Sequence, residues 1–74
     1  MENRIKNLIA EHKSMIEDYD ILIKAANERK SKFRNALTTE EAHSFSDACI
    51  DLKIASAQRQ RTVQFVSDLE CLLD

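Results

Sequence analysis

The sequence predicts an all-α fold: a two-helix antiparallel hairpin, coiled-coil-like, that dimerises into a four-helix bundle. Three observations point there. The 74 residues contain no Gly and no Pro, so tight turns and β-hairpins lack their usual residues. Charged residues make up 32% of the chain and aromatics 5%, a mixture that favours long, solvated helices. One stretch, Leu37 to Ala42, interrupts a pattern that otherwise reads as helix from end to end. A chain this short is one domain at most, residues 1–74, with helix one at about 3–35, a turn at about 36–39 and helix two at about 40–73.

In helix one a mostly apolar row alternates spacings of three and four: Ile5, Leu8, His12, Met15, Tyr19, Leu22, Ala26, Arg29, Phe33 and Ala36, with His12 and Arg29 as its polar members. That is a heptad register. A second row, Ile9, Ile16, Ile23 and Leu37, widens the stripe beyond that of a strict two-stranded coil and suits a helix with two neighbours. Lys6, Lys13, Glu17, Asp20 and Lys24 mark the wet side. Glu2–Lys6, Asp20–Lys24 and Glu28–Lys32 are acid-first i,i+4 pairs, worth a few tenths of a kcal/mol each.

The turn has its own chemistry. Arg29, Lys30, Lys32 and Arg34 crowd the end of helix one, where cations suit the dipole, and Asn35 is the best left-handed terminator in a chain without Gly. Thr38 followed by Glu41 fits a capping box, in which each side chain satisfies the other's backbone N–H. Leu37 and Ala42 would make a weak hydrophobic staple, and Glu40 and Glu41 suit the positive end of the next helix. The alternatives are one unbroken helix, or a second helix that restarts at Ser44 or Ser46.

Helix two has two apolar faces. One holds Ala42, Phe45, Ala48, Cys49, Leu52, Ala55, Val63, Val66, Leu69 and Leu73; the other holds Ile50, Ile54, Ala57, Phe65 and Leu72. Folding the turn back pairs positions whose numbers sum to about 78, so Phe33 meets Phe45, Ala26 meets Leu52, Met15 meets Val63 and His12 meets Val66. Tyr19 meets Arg59, either as a cation–π contact or with Asp18 or Asp20 pairing the guanidinium. Helix one covers only the first face. The second, with Ile50, Ile54, Ala57, Arg61, Phe65 and Leu72, would be an exposed apolar patch in a lone hairpin. It is therefore the expected interface, with a second copy in a symmetric homodimer or with another protein.

Few residues point to catalysis. His12 lies in the seam as a core or boundary histidine. His43 with Glu40 and Asp47 has spacing that permits a metal ion in principle, but such triads recur by chance on charged helices. Glu17, Asp18 and Asp20 around Tyr19 read as a solvated acidic face, since general acid–base work needs a desolvated carboxylate in a cleft. There is no Gly-rich phosphate loop, nucleophile elbow or zinc spacing. The expectation is a non-enzymatic protein with no cofactor and no metal.

Cys49 and Cys71, 22 residues apart on one predicted helix, would lie about 33 Å apart at 1.5 Å per residue, too far for a disulfide within the chain. Reduced thiols, no apolar run long enough to span a membrane and no signal-peptide pattern at the N-terminus point to the cytoplasm, away from the membrane. The net charge of −2 singles out no polyanionic partner. Lys24, Arg29, Lys30, Lys32 and Arg34 nevertheless form a basic segment of the kind that contacts nucleic acid, although Glu40, Glu41, Asp47 and Asp51 return beside it.

In length and topology this hairpin resembles the Rop family of plasmid copy-number RNA-binding proteins, two-helix protomers that dimerise into a four-helix bundle. No sequence motif is shared, and no residue roles carry over. The resemblance implies RNA or DNA binding as one expectation. The residues themselves favour a small interaction module, a regulator, adaptor or inhibitor of the kind that phages and mobile elements encode. A third reading is a small-ligand, nucleotide-type binder with sites between subunits near Tyr19, Arg59 and Arg61.

Overall fold

The computed structural model describes residues 2–74 and shows two helices, α1 (Glu2–Lys32) and α2 (Thr39–Leu73), joined by a turn over 33–38. They lie antiparallel in a rod of 56 × 14 × 13 Å. The two-helix all-α hairpin is as the sequence predicts.

The turn is longer and earlier than expected. α1 ends at Lys32 rather than near 35, with a last backbone bond from Phe33 N–H to the Arg29 carbonyl at 3.1 Å. Lys32 Nζ lies 5.4 Å from the centre of the Phe33 ring. Asn35 does not terminate the helix in a left-handed conformation: among the described residues no non-Gly position has positive φ. Such a conformation costs a residue with a Cβ about 1–2 kcal/mol, and a connection of this length reverses the chain without it.

Thr38 caps α2 as the sequence predicts. It is extended (φ −119°, ψ 160°), and its Oγ1 accepts from the Glu41 N–H at 3.1 Å. The return bond from Thr38 N–H to the Glu41 carboxylate is not among the hydrogen bonds of the described residues. Leu37 is 92% exposed, so the staple with Ala42 does not form either.

On α2 the inward stripe runs Phe45, Ala48, Leu52, Ala55, Arg59, Thr62, Val66, Leu69 and Leu73, all buried or half-buried at strict three–four spacing. Thr62 was not expected there. It is tolerated because its hydroxyl donates to the Gln58 carbonyl at 2.9 Å, which satisfies the buried polar group. Val63, placed inward by the sequence pattern, is half out.

The larger correction is on α1. The inward stripe is Ile5, Ile9, His12, Ile16, Tyr19, Ile23 and Ala26. Of the two apolar rows flanking His12 and Tyr19, the isoleucine row faces α2. Ile5, His12, Tyr19 and Ala26 of the expected seam row do face inward, but Met15, Leu22 and Arg29, which alternate with them, are exposed, and Leu8 is half-buried.

Register follows from three cross-helix pairs: the rings of His12 and Phe65, Asp20 with Arg59, and Arg29 with Asp51. All three fall within two residues of the predicted pairing. Arg59 Nε donates to Asp20 Oδ1 at 2.5 Å, so the guanidinium takes the carboxylate partner and not the Tyr19 ring. The i,i+4 pairs, Asp20–Lys24 included, are not among the ion pairs of the described residues.

Candidate functional site

The candidate site is one broad face of the hairpin, built from two seven-residue ladders. On α1, Leu8, Met15, Leu22 and Arg29 stand seven apart and so form one stripe. On α2, Asp51, Gln58, Phe65 and Leu72 do the same. Leu22, Ala25 and Arg29 line a shallow groove with Asp51, Ile54, Ala55 and Gln58, which puts both ladders on the same side. Further along that side Phe65 meets His12 edge to face, ring centres 4.7 Å apart at 72°, an arrangement aromatic rings favour. His12 Nδ1–H donates to the Leu8 carbonyl at 2.7 Å, and this holds the ring in place.

The face is apolar and largely uncovered. Met15, Leu22, Ile54, Phe65 and Leu72 are all exposed, Leu72 to 70%. The other broad face is different in kind. There Asp20, Ser56, Arg59 and Gln60 surround Ile23 and Val63 in one groove, and Lys30, Lys53 and Gln60 surround Cys49, Leu52 and Ala57 in another. The two interhelical ion pairs among the described residues divide between the faces: Arg29 to Asp51 at 2.7 Å on the apolar side, Arg59 to Asp20 on the polar side. Both are half-exposed.

The structure splits the set of interface residues read from the sequence. All six are exposed. Ile54 lines the apolar groove and Phe65 packs on His12, and Leu72 follows Phe65 by seven residues on the same stripe. Arg61 follows Ile54 by seven along the outer edge. Ala57 instead lines the polar-side groove, and Ile50 lies near the back of α2. The other half of the face is on α1 and lies outside that set: the heptad spacing places Met15 and Leu22 in the seam, whereas both are exposed and Leu22 lines the groove with Ala25. Two parallel apolar rows on α1 were the available signal.

Of the basic segment, Arg29 is held by Asp51. Lys24, Lys30, Lys32 and Arg34 are exposed near the turn, where Lys30 and Arg34 share a shallow groove with Asn27, Ser31 and Phe45. Among the described residues no three His, Cys, Asp or Glu side chains come together to hold a metal ion, Glu40, His43 and Asp47 included. No helix is long and apolar enough to cross a membrane among these residues. Cys49 and Cys71 are free thiols. Comparison of the chain with family models, curated proteins and solved structures finds no match.

Proposed function

We propose that this chain is a non-enzymatic interaction module that works as a homo-oligomer. Two hairpins close their apolar faces on each other into a four-helix bundle, and the polar outer surface meets other macromolecules as a regulator, adaptor or inhibitor would. One observation carries the reading. The hairpin exposes an apolar ladder along one face while no large side chain among the described residues is fully buried. A small domain that buries so little of its own surface is marginal alone, and a continuous apolar patch marks an interaction site. Contact with nucleic acid through Lys24, Lys30, Lys32 and Arg34 has less support, because Arg29 is already engaged by Asp51.

Light scattering across protein concentration tests the self-interface. The wild type is expected at twice the 8.5 kDa of one chain, and Phe65→Glu at the mass of one chain or unfolded. A wild type that is a folded monomer at about 100 μM, which corresponds to a dimer weaker than roughly −5.5 kcal/mol, overturns the reading.

A further inference from the structure

We propose that the apolar face binds a second copy of this chain in one orientation only, with both turns at the same end of the bundle. The proposal rests on the self-association above and specifies its geometry. The face changes character along its length. At matched levels of the two ladders, Leu8 lies with Leu72, Met15 with Phe65 and Leu22 with Gln58, and the last rung is the Arg29–Asp51 ion pair at 2.7 Å. The terminal end is apolar and the turn end is charged.

Two identical hairpins stack face to face about a two-fold axis that runs either along the helices or across them. With the axis along the helices, α1 of one copy lies antiparallel on α2 of the other at the same level. The rungs then meet apolar on apolar at the termini and ion pair on ion pair at the turn, with Leu22 against Gln58 between them. The outer edges also match. Asp18 falls beside Arg61 of the second copy, Lys32 beside Asp47 and Ala25 beside Ile54, with Glu11 beside Asp68 as the unfavourable exception. Asp18, Arg61, Lys32 and Asp47 are exposed and take no part in the ion pairs among the described residues.

With the axis across the helices, one copy is turned end over end. The Arg29–Asp51 rung then covers an apolar rung of the other copy, Leu8 with Leu72 or Met15 with Phe65, and an ion pair is desolvated against hydrocarbon without a new partner. Where it covers Leu8 with Leu72, Asp18 meets Asp18 and Arg61 meets Arg61; where it covers Met15 with Phe65, Asp47 meets Asp68, with Glu11 beside Lys32 as the favourable exception. Opposed like charges and unpaired polar groups select against that arrangement.

A spin label at the turn reads the orientation. Leu37→Cys is labelled in a Cys49→Ala, Cys71→Ser background, and the distance between labels in the dimer is measured by double electron–electron resonance. Leu37 is 92% exposed, so the label disturbs no packing. Turns at one end put the labels about 20–30 Å apart, two or three interhelical spacings of 8–10 Å. A distance near the 56 Å length of the rod overturns the orientation and leaves self-association standing. No dipolar coupling at a concentration where the chain is folded overturns both. A charge swap gives an independent readout: Asp18→Arg weakens the dimer about tenfold and adding Arg61→Asp restores it. These residues sit on opposite edges of one hairpin, so failure of the second change to restore binding counts against the proposal.

Discussion

The two halves of the hairpin are held together differently. At the terminal end, Ile9, Val66 and Leu69 are buried against one another, flanked by Ile5, Leu8, Ile16 and Leu73. These are large aliphatic groups, and their removal from water supplies most of the cohesion, at about 25 cal/mol per Å². Towards the turn the buried positions are Ala26, Ala48 and Ala55. Alanine contributes little burial but lets the helix backbones come close, and there the ion pairs Asp20–Arg59 and Arg29–Asp51 bridge the seam from opposite faces. One end is a small core and the other a close, electrostatically registered contact. The chain therefore separates cohesion from alignment along its length.

That contrast makes graded predictions. Leu69→Ala should have the largest effect, about 2–5 kcal/mol lost, because it truncates a buried aliphatic and leaves a cavity. A full loss of the helical circular dichroism signal at 25 °C is within that range for a hairpin this small, and urea titration of a partly folded variant reads the remainder. If Leu69→Ala is nearly silent, the terminal cluster is not the core. Ala55→Leu should cost about 1–3 kcal/mol by overpacking the close contact. A neutral or stabilising result in the same titration would mean that the helices are not tightly apposed there. Breaking the Arg29–Asp51 pair should matter least. A double-mutant cycle with Arg29→Ala and Asp51→Ala should give a coupling of about 0.2–1 kcal/mol, because both groups are half-exposed and screened by solvent. The coupling should shrink further in 1 M salt, where the Debye length is about 3 Å. A coupling above about 2 kcal/mol, outside the range of exposed pairs, would assign the turn half a cohesive role and erase the contrast.

Much of this was legible in the residues. Thr38 caps α2 through the Glu41 N–H, half of the box its spacing implies, and three cross-helix pairs fall close to the register expected from matching apolar levels. The α2 half of the exposed apolar face was legible because Ile54, Phe65 and Leu72 lie well away from the inward stripe. The α1 half was not. Leu8, Met15 and Leu22 and the row Ile9, Ile16 and Ile23 are both apolar and both at heptad spacing, so periodicity alone does not rank them. Asn35 misled because a missing Gly pointed to a substitute terminator, when a turn over 33–38 dispenses with the left-handed residue.

The sequence by itself determined two helices, the place where they part, their pairing and the surplus of apolar surface. These depend on local capping, on the 3.6-residue period and on composition. The tertiary structure decided how far each helix is rotated about its own axis, and with it which α1 row faces α2 and which joins Phe65 and Leu72 on the open face. Rotation is set by the fit of Ile9, Ile16 and Ile23 against the small and branched residues of α2 and by the reach of Asp20 and Arg29 to partners on opposite sides of the seam. Those are interactions between distant parts of the chain, and neither helix contains them alone.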